Sequence, residues 1–514
     1  MKRLPIAKTE IRAIAEGNFL YVDKTRYIKE LVDDGHTYYF LSRPRRFGKS
    51  LFLDTLRAAF AGEKEWFKGL YLEDNWDWSI KYPVIWISFG AGTVFNTKEL
   101  EDRISYLLKR NAEQYDVNIS ETFTPNAFNE LIEILFKKFD LPVVILIDEY
   151  DKPILDNITK ENVTEIREQL ASFYSVLKDA SPYLKFVFLT GVSRFSKTSI
   201  FSKLNNITDI SLVNKYADIC GISQPDLETV FVDYLKDVDL EKVKSWYDGY
   251  SFLGSQLYNP YDVLMFLWDK RYLCYWFETG TPTFLLELIK KRKFFLPSLE
   301  ELKIPASQLG EFDIDNIQLD VLLFQTGYLT IKECNVIGDD YIYTLKMPNK
   351  EVRKGLNDYL LRSFYAGMLE TYERTSISGK IYTSLAELKP ENLKQIFVSL
   401  FAGISHQWFT KNRISEYEGF YCSMFYVFFA ALGLEIKSED NTNKGRIDFT
   451  VTTNSGIFIF EIKMKKIASN ALQQIKERNY YEKYLSQNKE IFLIGIEFDE
   501  EVRNISTFEC EKII

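Results

Sequence analysis

An apolar run, Tyr38-Tyr39-Phe40-Leu41, leads through Ser42-Arg43-Pro44-Arg45-Arg46-Phe47 into Gly48-Lys49-Ser50. Leu51–Arg57 then continues with the apolar spacing of a helix. No other stretch limits the fold as strongly. A buried strand that turns on a glycine into a helix N-terminus builds a nest of N–H groups for an anion. Gly48 lets the backbone approach phosphate oxygens, Lys49 reaches β- and γ-phosphates, and the Ser50 hydroxyl can ligate Mg²⁺. Arg45, Arg46 and Phe47 complete the loop, and the two arginines either contact phosphate or face solvent or an acidic neighbour. One residue departs from the phosphate-loop pattern G-x-x-x-x-G-K-S: Arg43 stands where the first glycine belongs. Taken alone, the stretch reads equally as a basic turn between a strand and a helix.

A nucleotide site also needs an acid at the end of a neighbouring strand. Pro142-Val143-Val144-Ile145-Leu146-Ile147-Asp148-Glu149 supplies it. Asp148 would hold Mg²⁺ through water or Ser50, and Glu149 would polarise the water that attacks the γ-phosphate. A buried strand ending in a solvated acidic turn is common; its pairing with Gly48-Lys49-Ser50 is not, and the pair points to ATP. A third run, Phe186–Leu189, ends in Thr190-Gly191-Val192-Ser193-Arg194, where Arg194 either contacts the γ-phosphate or is a surface arginine.

Strand-like runs at Thr37–Leu41, Val84–Phe89, Val143–Ile147 and Phe186–Leu189 alternate with helical patterns at Lys98–Asn111, Pro125–Phe139 and Val163–Ala180. This alternation predicts an α/β domain with a parallel sheet over residues 1–258. Residues 259–385 read as a helical or winged-helix-like module with short strands at Tyr328–Lys332 and Tyr341–Lys346. Residues 386–514 change again, to a helix near Glu416–Leu432 and strands at Leu434–Ser438, Asp448–Thr452 and Ile457–Lys463. A helix over Ser469–Leu485, N-capped by Ser469, and a strand at Ile491–Ile496 follow.

With 514 residues the chain exceeds one ordinary core. Two histidines, His36 and His406, exclude histidine-rich zinc sites and disfavour a histidine base, so hydrolytic chemistry falls to carboxylates, lysines and a hard metal ion. Five scattered cysteines read as reduced thiols, and no apolar run spans a bilayer, so a cytoplasmic protein without a membrane partner is expected. The net charge of −9 argues against a uniformly basic nucleic-acid binder but leaves room for a local channel.

A second constellation lies near the carboxy terminus. Gly445-Arg446-Ile447-Asp448 is followed by Phe458-Ile459-Phe460-Glu461-Ile462-Lys463. An acid on one strand and Glu-x-Lys on the next can converge, because alternate residues share a strand face. Asp448 and Glu461 would bind Mg²⁺ or Mn²⁺ with the Ile462 carbonyl as a further ligand. Lys463 would orient or deprotonate water and stabilise charge on a scissile phosphate. Glu-x-Lys also occurs at Glu301, Glu387 and Glu435. The first two lack a strand-borne acid upstream, whereas Glu435-Ile436-Lys437 is strand-like and competes; the Glu461 triple is favoured because it follows a glycine turn and an acid at hairpin spacing.

Several of these stretches resemble the signature of bacterial AAA-ATPase-like proteins with a C-terminal PD-(D/E)XK nuclease-like domain. They are Tyr21-Val22-Asp23-Lys24-Thr25, Ser42–Ser50, Trp246-Tyr247-Asp248-Gly249-Tyr250, Asn259-Pro260, Tyr275-Trp276 and Gln325-Thr326-Gly327-Tyr328-Leu329-Thr330. The resemblance makes Arg-Pro-Arg-Arg-Phe-Gly-Lys-Ser the usual form of the loop, so Arg43 is a family trait. It implies a P-loop NTPase with a parallel sheet, the middle module, and a restriction-endonuclease-like α/β domain. It sets the nuclease register as Glu418, Glu439, Gly445-Arg446-Ile447-Asp448, Glu461-Ile462-Lys463, then Gln474 with Tyr480 and Tyr484. Glu418 would complete the metal shell, Gln474 and Tyr480 would line the phosphate path, and Ile447 takes the place of the name-giving proline. Lys444, Arg446, Lys463, Lys465 and Lys466 would make this end locally basic, as a DNA channel needs. The expectation is an ATP-hydrolysing protein coupled to a Mg²⁺-dependent nuclease acting on nucleic acid, DNA first. A homo-oligomer would let an arginine from another subunit complete the ATP site. The rival expectation is a nucleotide-switched DNA- or protein-binding regulator whose nuclease-like domain does not cut.

Overall fold

All six residues of Val143–Asp148 are buried, and most of Tyr38–Ser42 and Leu184–Gly191 are buried as well. Strands apolar on both faces belong inside a parallel sheet covered by helices. The computed structural model of this chain bears this out; it describes residues 2–194, 206–280, 285, 288–289, 296–309, 317–364, 371–402, 418–442, 444–465, 470–499 and 501–513. Strands β1 (Tyr38–Ser42), β2 (Val84–Ser88), β3 (Val143–Asp148), β4 (Leu184–Gly191) and β5 (Thr208–Asp209) form a parallel sheet ordered β2-β3-β4-β1-β5. The first four lie where the sequence predicts them; β5 is a two-residue strand with no apolar run to announce it. Because the strands are parallel, the loop after β1, the acids after β3 and the Thr190–Arg194 end of β4 emerge at one edge. Helices Thr97–Gln114, Thr124–Phe139 and Val163–Asp179 follow the predicted pattern, the first capped by the Asn96 side chain on the Glu99 N–H at 2.9 Å.

The chain divides into two compact units, Met1–Phe284 with Lys303–Asn349 and Leu285–Leu302 with Lys350–Ile514. It therefore passes from one unit to the other after residues 284, 302 and 349. Of the helical middle, 259–284 and 303–349 belong to the first unit, 285–302 and 350–385 to the second. In the first unit, β6 (Ile222–Ser223) pairs with β7 (Leu257–Tyr258), and helix Pro260–Asp269 packs on Leu227, Val243 and Tyr247. A small sheet, β8-β10-β9, is built from β8 (Leu302–Pro305), β9 (Thr330–Ile337) and β10 (Asp340–Lys346).

The second unit holds β11 (Glu435–Thr442), β12 (Gly445–Thr452), β13 (Gly456–Met464), β14 (Glu490–Asp499) and β15 (Asn504–Lys512), hydrogen-bonded in that order. Only β13 and β14 are parallel. One face packs Phe449 and Phe460 on Phe429 of helix Glu418–Ala431; the other packs Ile447, Ile457 and Ile459 on Ile475, Tyr480 and Tyr484. Two expectations need correction. The helix predicted over Ser469–Leu485 spans only Ala471–Glu477 and is capped by Asn470, with Ser469 outside the described residues; Asn479, in a left-handed conformation (φ 47°), follows the break. Strand β15 was not predicted, since polar residues interrupt its apolar ones along a sheet edge. Among the described residues no helix is long and apolar enough to cross a membrane.

Candidate functional site

The phosphate loop shows why Arg43 can replace glycine. The left-handed turns fall on Arg46 (φ 59°) and Gly48 (φ 98°), and Arg43 is not in that region. Its guanidinium is instead only 1 % exposed. It donates to the carbonyls of Ser42, Ser211, Tyr216 and Ala217 at 2.8–3.2 Å and lies over the Phe252 ring at 3.9 Å. Burial lowers its pKa to about 10. A side chain thus anchors the loop where the ordinary motif relies on backbone freedom. Phe47 is fully buried, edge-on to Tyr250 and Phe252. Arg46 is exposed over Tyr261 at 4.1 Å.

Lys49 opens the helix Lys49–Phe60, and its ammonium donates to the Arg43 and Pro44 carbonyls at 2.8 Å each. Burial lowers its pKa, opposed by Asp148, Glu149 and Asp151. The Ser50 hydroxyl donates to Asp148 at 2.6 Å, the contact that a Mg²⁺ ion would share. Burial raises the pKa of both Asp148 and Glu149; Asp148 adds to the rise at Glu149. A carboxylate raised in this way suits a general base. Glu149 also holds a left-handed backbone (φ 52°). Gly90 leaves room for it: a Cβ there would stand 3.3 Å from Glu149 Oε2.

Asp151 was not singled out from the sequence, yet it ties β3 to β4. It accepts the Val192 and Ser193 N–H groups at 3.0 and 2.5 Å, and a Cβ on Gly191 would come within 2.5 Å of it. Burial raises its pKa from 3.8 to about 6. Between those values the folded chain holds a proton that the unfolded chain has lost. Stability from this group is therefore highest below about pH 4 and falls by up to about 3 kcal/mol as pH rises through 6. Asp151→Asn should flatten that part of the profile, as read by urea denaturation at acid and neutral pH.

These residues border a cavity of about 590 Å³. Arg45, Gly48, Lys49, Ser50 and Glu149 are among its polar lining residues, and Ile14, Leu20, Val22, Phe231 and Leu264 among its apolar ones. The polar groups suit phosphates and the apolar ones a base, the combination that a nucleotide requires. Arg194 does not line this cavity. It is ion-paired with Asp209 and lies beside Ser42, Pro44 and Gln325.

In the second unit the β12–β13 ladder ends at Phe449↔Phe460. One step further, the Asp448 carboxylate accepts the Ile462 N–H at 2.7 Å. Glu461 is 2 % exposed, accepts a hydrogen bond from the Gln474 amide and stands 3.5 Å from the Lys463 ammonium. Asp448, Glu461, Lys463 and Gln474 are thus brought together. Glu435 and Lys437 of the competing triple are exposed on the edge strand β11, and Glu301 and Glu387 are exposed too. Glu439 faces Arg446 at 3.1 Å on the exposed side, and Glu418 begins its helix with its side chain outside the described residues. The Tyr484 hydroxyl donates to Asp440, and Ile447 is core. Two carboxylates are oxygen donors of the hard kind that Mg²⁺ or Mn²⁺ prefers. Among the described residues no group of three His, Cys, Asp or Glu side chains could hold a metal alone.

Sequence reading missed Gly495. It neighbours Glu461 in the β13–β14 register, and a Cβ there would lie 2.3 Å from the Leu472 N atom. The missing side chain lets helix Ala471–Glu477 close on the sheet and Gln474 reach Glu461. Gly495→Ala should cost about 1–3 kcal/mol by overpacking, seen as a lower melting temperature of the second unit. The basic channel is less open than expected. Lys444, Arg446, Lys463 and Lys465 each stand within 3.1–3.5 Å of a carboxylate, and Lys466 lies outside the described residues.

A P-loop α/β unit and a PD-(D/E)XK-like unit define the class. A family model described as predicted AAA-ATPase matches residues 5–201, and one for the PD-(D/E)XK nuclease superfamily matches 416–508. An uncharacterized protein in the vnfD 5′ region of Azotobacter chroococcum mcd 1 is 42 % identical over 516 aligned residues, covering 100 % of this chain and 99 % of that protein. The chain belongs to the family of predicted AAA-ATPases that carry a C-terminal PD-(D/E)XK nuclease-superfamily domain. Such domains generally use a nucleotide and divalent metal ions.

Proposed function

We propose that this protein binds and hydrolyses ATP and uses the nucleotide to control a metal-dependent nuclease that cuts nucleic-acid phosphodiesters, with DNA as substrate. The convergence of Asp448, Glu461, Lys463 and Gln474 where the β12–β13 ladder opens carries the nuclease reading. Lys49 and the loop N–H groups would hold the ATP phosphates, Ser50 and Asp148 the nucleotide's Mg²⁺, and Glu149 would take the proton of the attacking water. At the second site Asp448, Glu461 and the Ile462 carbonyl would hold the ion, with Glu418 as a further ligand. A bound Mg²⁺ or Mn²⁺ supplies Lewis acidity toward the scissile phosphate. Lys463 would orient the attacking water and offset charge on the phosphate, while Gln474 keeps the Glu461 carboxylate aimed.

A second reading, a nucleotide-switched regulator whose nuclease-like domain docks a partner without cutting, has its own support. Lys444, Arg446, Lys463 and Lys465 already face carboxylates, and among the described residues no third acid joins Asp448 and Glu461. Incubating supercoiled DNA, single-stranded DNA and RNA with the full chain and Mg²⁺ or Mn²⁺, with and without ATP, separates the two. Cleavage that requires metal supports the nuclease; binding of DNA with no cleavage under any of these conditions selects the regulator.

A further inference from the structure

Gln325-Thr326-Gly327-Tyr328-Leu329-Thr330 contributes neither acid nor base to either site, yet Gln325 and Gly327 meet the edge of the sheet where the phosphate loop emerges, and Tyr328 and Thr330 reach its surroundings through Trp276 and Ser251. The Gln325 amide accepts the Arg194 N–H at 3.0 Å and approaches the Arg194 carbonyl at 3.5 Å, so one side chain engages both polar groups of a residue just past β4. Gly327 (φ 93°) ends helix Leu319–Thr326, and a Cβ there would stand 2.7 Å from the Pro44 Cβ, so the phosphate loop rests on it. Tyr328 packs on Trp276 at 5.2 Å. Trp276 in turn donates its indole N–H to the Arg45 carbonyl at 3.1 Å, a carbonyl the Asn259 amide also reaches at 3.5 Å. The Thr330 hydroxyl accepts the Ser251 N–H at 2.7 Å and meets the Ser251 carbonyl at 3.3 Å. Ser251 lies between Tyr250 and Phe252, the two rings that enclose Phe47.

A loop that aims its N–H groups inward at an anion turns its carbonyls outward, and each outward carbonyl needs a donor. Lys49 serves Arg43 and Pro44; Trp276 serves Arg45. We propose that Gln325–Thr330, together with Trp276, is a latch. It is a positioning element that fixes the phosphate loop and the Arg194 end of β4 relative to each other, so that nucleotide affinity depends on residues that never touch the nucleotide. The inference rests on the nucleotide reading only for what the loop does; the latch itself acts on the empty protein.

Hydrogen exchange on the full chain tests it. In Trp276→Phe, which keeps a ring against Tyr328, and in the near-isosteric Gln325→Leu, peptides covering 43–50 should exchange about tenfold faster without nucleotide, the scale of one buried hydrogen bond. Peptides covering β2 should not change. Thr330→Ser, which keeps the hydroxyl, should behave as wild type, while Thr330→Val should loosen 250–252. Unchanged exchange at 43–50 in both variants, or equal acceleration everywhere, overturns the latch. Adding ATP to the wild-type protein should protect 43–50. If it does not, while the variants still loosen the loop, the latch stands and the nucleotide reading falls.

Discussion

Lys49→Ala should lower ATP turnover at least a hundredfold, the scale on which removing one preorganised stabilising donor acts. The position explains the size of the effect. The ammonium is buried, caps two loop carbonyls at 2.8 Å and opposes the rise that burial imposes on the carboxyls of three acids, Asp148, Glu149 and Asp151. Its removal deletes the charge that would meet the β- and γ-phosphates and takes from Asp148 the cation that holds its pKa down, while Glu149 keeps only Arg45 and Lys152. Lys49→Arg should not restore turnover, because a planar guanidinium cannot occupy the site of a compact ammonium between two carbonyls. Steady-state phosphate release, read beside a circular-dichroism melt, checks both. Turnover within threefold of wild type in a folded Lys49→Ala protein would remove the loop from the mechanism.

Asp448→Asn should lower metal-dependent cleavage by at least about a hundredfold while leaving the fold intact. An asparagine oxygen can still accept the Ile462 N–H that Asp448 accepts at 2.7 Å, so the open end of the ladder keeps its shape and loses only the charge. Lys463→Ala should fall comparably. Glu435→Gln, in the exposed triple on the edge strand, should cut as wild type. Plasmid nicking over a metal titration reads all three. Equal nicking by Asp448→Asn and wild type would show that any cleavage arises elsewhere.

Much of this was legible in the sequence because parallel strands advertise themselves. Val143–Ile147 is apolar without alternation, and only a strand buried on both faces tolerates that. The Gly48-Lys49-Ser50 and Asp148-Glu149 pair was legible for a related reason, since few other folds bring those types to strand ends. Arg43 was harder: its replacement of glycine makes sense only once the carbonyls of Ser211, Tyr216 and Ala217, remote in sequence, are seen around its guanidinium. Gly495 and Asp151 act through what lies beside them in space, a helix backbone and two N–H groups, and neither leaves a local pattern. The Glu435 and Glu461 triples are both strand-like as strings, and only the glycine turn and the acid at hairpin spacing ahead of Glu461 favour it. Burial separates them, because one lies on an edge strand and the other inside the sheet.

The three passages of the chain between the units, after residues 284, 302 and 349, bear on how such a protein can be dissected. A fragment ending at residue 258 would keep the residues proposed for the phosphates and lose Leu264 of the cavity lining together with Trp276, Gln325 and Thr330. Extending it through Asn349 would recover them, but the fragment would then carry Leu285–Leu302, whose Glu300 is built to meet Arg353 and Tyr426 of the other unit's remaining sequence. No single cut yields two self-sufficient halves. Recombination that exchanged one unit for a foreign counterpart would need paired crossovers on either side of both insertions, so the two units are expected to be inherited together.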